Sequence, residues 1–170
     1  MLATIHYLLF AIFPAMMIYA ALSDLLTMTI SNRISIILVA AFVVLVPVVG
    51  MDLETAGLHV AAGAIVLAVT FACFAMGWIG GGDAKLAAVI ALWLGLDHTL
   101  AFVVAASVYG GALTLAILSF RGFMLPAFAV RHAWVQRLHD KSSGVPYGLA
   151  LAAAALSIYP STGWIALAAG

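Results

Sequence analysis

Charge is what this sequence has least of. Charged residues make up 7% of the chain and apolar residues 67%, where soluble domains carry about 25% and about 45–50%. That shortage excludes an ordinary soluble domain, because too few polar side chains exist to cover so large an apolar interior. Net charge is zero, with six basic and six acidic residues, so no electrostatic footprint points to nucleic acid or another polyanion. Cysteine is limited to Cys73, which rules out an intrachain disulfide or a paired-cysteine metal clip and leaves the expectation of a small buried apolar side chain. The opening MLATIHYLLFAIF has no Lys or Arg ahead of its apolar run, so it reads as a retained first span and not as a cleavable signal. No internal repeat or low-complexity tract divides the chain, and residues 1–170 read as one integral membrane domain.

What the sequence has in quantity is long apolar runs. Six of them, at about residues 5–22, 34–50, 56–76, 84–96, 99–119 and 147–169, predict an all-α polytopic membrane protein of about six transmembrane helices, since backbone in lipid must satisfy itself. Five approach the roughly 20 residues that cross about 30 Å of hydrocarbon. The fourth has 13 residues and spans only about 20 Å at 1.5 Å per residue. It is a short helix behind a glycine-rich loop.

Orientation follows the basic residues, which stay on the cytoplasmic side in short loops. With six crossings, Arg33, Lys85, Arg121, Arg131, Arg137 and Lys141 all share one side, and Asp52, Glu54 and Asp97 occupy the other. Both termini are therefore predicted outside the cytoplasm. The longest break, about residues 120–145, predicts an interfacial helix after Pro126, with Phe128, Trp134 and Leu138 at the acyl boundary and Arg131, Gln136 and Arg137 facing headgroups, or else a solvated connector.

Two carboxylates stand out against this background. Asp24 follows the first span in ALSDLLTMTISNRIS, and Asp83 precedes the fourth in GWIGGGDAKL. Both belong to the cytoplasmic side by the charge argument. An ionisable group near hydrocarbon faces a wet cavity or a partner and marks function by default; the plainer alternatives are a helix-end residue reaching water for Asp24 and an N-cap for Asp83. An N-cap needs no run such as Gly80-Gly81-Gly82, which permits positive φ and close backbone approach by a neighbouring helix or an extended peptide. Phosphate loops fail on the letters: Lys85 is followed by Leu86 and not by Ser or Thr, and Lys85 stands where a dinucleotide motif needs its third glycine.

Two aspartates on one membrane face predict aspartic-protease chemistry, in which a pair sharing one proton activates water and supports the carbonyl oxygen. That chemistry calls for no metal and no cofactor. No histidine pair has metal-site spacing: His6, His59 and His98 fall on the outer half and His132 and His139 in the long break. The tryptophans, Trp78, Trp93, Trp134 and Trp164, read mostly as interface-belt or lipid-facing residues.

At these residues the chain resembles the type IV prepilin peptidase family. Gly80-Gly81-Gly82-Asp83-Ala84-Lys85 matches that family's Gly-x-Gly-Asp-x-Lys, and Asp24 with the following polar stretch to Asn32 resembles its earlier aspartate element, with Ser31 where the family tends to have proline. Val145-Pro146-Tyr147-Gly148 resembles the stretch opening the family's last helix. The resemblance implies catalytic Asp24 and Asp83, and removal of a short basic leader from prepilins at the cytoplasmic face of the bacterial inner membrane. Larger members carry a cytoplasmic insertion with zinc-binding cysteine pairs; this chain has neither and is similar to the minimal form associated with Flp or Tad-type pili. Around the pair, Gly80, Gly81 and Gly82 are expected to leave room for substrate backbone. Lys85 either acts on Asp83 or sets topology, and Asn32 either bonds near the site or caps the second helix. Two other readings stay open: a proton-coupled transporter or channel using buried aspartates, and a non-catalytic pilus or secretion assembly subunit whose glycines pack helices.

Overall fold

Local signals in the sequence set where each helix starts and stops. A computed structural model describes the backbone of residues 2–126 and 129–164 and the side chains of residues 11–126 and 129–164. Among these, helix α1 runs Leu2–Thr27, α2 Asn32–Val48, α3 Leu53–Ala75, α4 Gly81–Leu94, α5 Leu96–Phe120, α6 Ala133–His139 and α7 Tyr147–Ile158, with short 3-10 turns at Ala129–Arg131 and Tyr159–Ser161. The all-helical expectation is met. Asp52 caps α3, its Oδ1 accepting from the Thr55 N–H at 2.8 Å, and Ser31 caps α2 by accepting from the Arg33 N–H at 3.3 Å. Ser31 thus supplies a side-chain cap where a proline could not. Gly95, at φ +76°, is the single residue that turns α4 into α5, a left-handed conformation that side chains resist.

The surface is apolar as well as the core. Large apolar side chains stand on the surface along α2, α3 and α5, among them Ile36, Val43, Phe71, Leu100, Val108 and Leu115. Contiguous apolar exposure of this kind is a liability in water and a requirement in lipid. Two helices, α3 and α5, are long and apolar enough to cross a membrane by length and composition. The fourth helix differs because it is the core: from Leu86 to Leu94 every residue is buried, with α2, α3, α5 and α7 packed around it. Its 14 residues span about 21 Å, short of about 30 Å of hydrocarbon. A helix walled by protein has no need to reach either interface.

Several expectations need correction. The last apolar run does not form one helix to residue 169: α7 stops at Ile158, where Pro160 has no N–H to extend the ladder, and a 3-10 turn follows; residues 165–170 lie outside the described residues. Among its described residues the long break holds the short 3-10 turn Ala129–Arg131 and the seven-residue α6 in place of one longer helix, and Leu138 is buried against protein instead of meeting the acyl boundary; Phe128 lies outside the described residues. Trp93 and Trp164 are core residues, not belt residues. Trp93 stacks on Phe13 at 5.1 Å, its Nε1 donates to the Leu38 carbonyl at 3.0 Å, and Trp164 Nε1 donates to the Trp93 carbonyl at 2.6 Å. Trp78 and Trp134 are exposed.

Candidate active site

Asp24 sits in the last turn of α1, and is not beyond the helix. The residue is 5% exposed, and Oδ2 accepts a buried hydrogen bond of 2.7 Å from the backbone N–H of Gly148, in the first turn of α7. Oδ1 has no hydrogen bond from any described residue. The chain after Asp24 turns sharply at Met28, whose φ of +55° ends α1. Polar side chains hold that turn: Thr27 Oγ1 donates to the Ser23 carbonyl at 2.7 Å, and Ser23 Oγ donates to the Thr29 carbonyl at 2.9 Å. The polar stretch noticed in the sequence therefore has a local job. It aims Ile30 back into the bundle.

Asp83 occupies the third position of α4, whose N-cap is Gly80 and not Asp83 itself. Its carboxylate folds back so closely that a methyl group on Gly80 would lie 3.0 Å from Oδ2. The other two glycines admit side chains of this same protein. A methyl on Gly81 would lie 3.2 Å from the Phe74 ring, and one on Gly82 would lie 3.2 Å from Ile30 Cβ. Gly80 has φ −72°, and neither Gly81 nor Gly82 has positive φ; in this loop positive φ occurs at Gly77, just after α3. The glycine run is a close-packing device more than a flexible loop.

Ile30 joins the two halves of the site. Its side chain packs at Gly82, beside Asp83, and its Cδ1 reaches Gly148, whose N–H holds Asp24. Asp24 and Asp83 thus flank Ile30 at one end of the bundle. Lys85 donates from Nζ to Asn32 Oδ1 at 2.9 Å, tying α4 to the start of α2. Asn32 is the first residue of α2, while Ser31 is its cap. Arg137 reaches the same end, its Nη1 donating to the Leu26 carbonyl at 2.7 Å.

Asp83 faces a cavity of about 200 Å³ bounded by Thr70 and Cys73 of α3, Ser107 of α5, and Tyr147 and Leu151 of α7. Cys73 is half-buried on this wall and not a core residue. Among the described residues no group of His, Cys, Asp or Glu is arranged to hold a metal ion. His59 lies at the opposite end, its Nδ1 within 2.8 Å of the Leu92 carbonyl, where His98 and Asp97 border a separate cavity; the side chain of His6 lies outside the described residues. Sequence reasoning missed Gly148, Ile30 and Tyr147 as parts of the site. A glycine in a helix's first turn was the available signal for Gly148, because glycine weakens a helix unless close approach demands it.

Two acidic side chains, Asp24 near the end of α1 and Asp83 near the start of α4, thus sit at helix ends of an apolar bundle. The family follows from the whole sequence: residues 11–115 match the type IV leader peptidase family, and the chain belongs to it. That match covers more than half of the chain and includes Asp24, the glycine run, Asp83 and Lys85, while Tyr147 and Gly148 lie beyond it. No curated protein and no solved structure matches the chain significantly. The protein is a peptidase of the type IV leader peptidase kind.

Proposed function

We propose that this protein is a multi-pass inner-membrane aspartic endopeptidase that removes the leader of Flp-type prepilins at the cytoplasmic face, using Asp24 and Asp83. The observation that carries this reading is the convergence of two carboxylates, 59 positions apart in the chain (83 − 24), on one Ile30-centred junction with a cavity beside it. Like charges so placed do not both ionise cheaply, so the pair holds one proton. The ionised member takes a proton from water as the water oxygen attacks the amide carbon, and the protonated member donates a hydrogen bond to the carbonyl oxygen. Collapse of the tetrahedral species breaks the C–N bond, and the departing nitrogen receives a proton from the pair. No group beyond the two aspartates and water enters this balance.

Substrate approach fits the same frame. All six basic residues fall on the side assigned to the cytoplasm, and a basic prepilin leader concentrates at an anionic cytoplasmic surface, which brings the bond after it to the end of the bundle where Asp24 and Asp83 meet. The test is reconstitution in liposomes with a prepilin, measuring leader release and proton flux in the same vesicles. Leader release without flux is expected. Proton flux that depends on Asp83, with the prepilin left intact, would instead make the protein a transporter. Intact prepilin together with tolerance of Asp24→Asn and Asp83→Asn would make it an assembly subunit.

A further inference from the structure

The start of α7 is fitted to α5 by a notch. Tyr147, the first residue of α7, lays its ring against Gly110 of α5, where even one added methyl group would overlap the ring and its hydroxyl. Gly110 is buried and does not border the cavity that Asp83 faces. The ring's seat is a matter of shape, because among the described residues the polar contact of the Tyr147 hydroxyl, to the Ala106 carbonyl, is long at 3.4 Å. Pro146, fully buried, fixes the chain just before it. One residue further on, Gly148 has no room for a side chain: a methyl there would stand 2.6 Å from Ile30 Cδ1 and 2.8 Å from Asp24 Oδ2. The closeness of that approach is what makes the 2.7 Å hydrogen bond to Asp24.

From this arrangement we infer that Tyr147, seated in the Gly110 notch, is a positioning residue that fixes the Gly148 N–H against Asp24 Oδ2 and so presents Asp24 Oδ1 to the reaction. The inference rests on the reading of Asp24 as catalytic. A carboxylate at the end of a helix rotates about two side-chain torsions, and one short bond from a rigid backbone donor removes that freedom. The donor is only as rigid as the helix start that carries it. Tyr147 therefore acts through Gly148, on kcat, without touching the scissile bond.

The experiment is a double-mutant cycle on prepilin cleavage by the full-length protein in detergent, with kcat, KM and the thermal melt recorded for each variant. Tyr147→Phe keeps the ring in the Gly110 notch and is expected to lose clearly less kcat than Tyr147→Ala. Gly110→Ala and Tyr147→Ala are each expected to lower kcat by about tenfold to a hundredfold, the range for one hydrogen bond to a charged group, with KM within about twofold. In the double variant the clash at residue 110 has lost its partner, so its kcat is expected to match that of Tyr147→Ala alone. If Gly110→Ala does not fold, the contrast between Tyr147→Phe and Tyr147→Ala decides. Unchanged kcat in Tyr147→Ala, a change confined to KM, or equal losses in Tyr147→Phe and Tyr147→Ala overturns the inference while Asp24→Asn remains inactive. Activity in Asp24→Asn itself overturns the underlying reading instead.

Discussion

Arg121 offers the sharpest structural prediction, because one side chain holds together the segment that leads to the site. It ends α5 and is buried. Its Nε donates to the Leu138 carbonyl at 2.7 Å, and its Nη2 donates to the Ser143 and Gly144 carbonyls at 3.0 and 2.8 Å. Bonds from a charged donor are worth about 1.5–3 kcal/mol each in net terms. Because the freed carbonyls of a surface segment can turn to water, we take the lower figure for each. Arg121→Ala is then expected to loosen the segment by about 3–5 kcal/mol, a local opening and not global unfolding. At about 1.4 kcal/mol per factor of ten, amide exchange across Ala133–His139 should quicken by at least about a hundredfold, while exchange in the buried α4 stays at its wild-type rate. Arg121→Lys should recover only part of the protection, since an ammonium does not reproduce the fork that reaches three carbonyls. Wild-type exchange across Ala133–His139 in Arg121→Ala would refute the reasoning, as would loss of protection spread evenly over the whole bundle.

Three further outcomes follow from the packing and the charges. Trp93→Ala removes a buried ring together with its bond to Leu38 and should lower stability by about 3–5 kcal/mol, read as a lower thermal midpoint in detergent. Gly82→Val forces the 3.2 Å contact with Ile30 apart and should cost about 1–3 kcal/mol, with cleavage falling further than the melt because Ile30 also sits on Gly148. The Asp140 carboxyl is held below the usual carboxylate range by the Ser142 N–H and hydroxyl. A lowered folded-state value means these bonds are fully present above the ordinary range and lost as pH falls through the lowered one. The exchange difference between wild type and Asp140→Ala at the Ser142 and Ser143 amides should therefore be full at pH 7 and vanish in strong acid.

How much of this was legible beforehand depended on whether a residue's meaning was local. Asp24 and Asp83 stood out because charge is scarce, and the short fourth helix was visible as a short run. Its burial was not, since an apolar residue facing lipid and one facing a neighbouring helix look alike in the letters. For the same reason Trp93 and Trp164 read as belt residues although they fill the core. Pro160 lies inside the last apolar run, and it proved to end the last helix. The glycine run announced close approach by a neighbouring helix or an extended peptide, and only the fold shows the Phe74 and Ile30 side chains there. Arg121 looked like a topology charge. Its three acceptors are carbonyls, which carry no sequence signal at all.

The central claim is that Asp24 and Asp83 act as one unit on a peptide bond. Mass spectrometry of a prepilin incubated with the wild type, Asp24→Asn or Asp83→Asn, each shown to melt normally, tests it most directly. The account predicts a single cut ahead of the apolar segment by the wild type and none by either variant. The same cut made at an appreciable rate by either variant would contradict it.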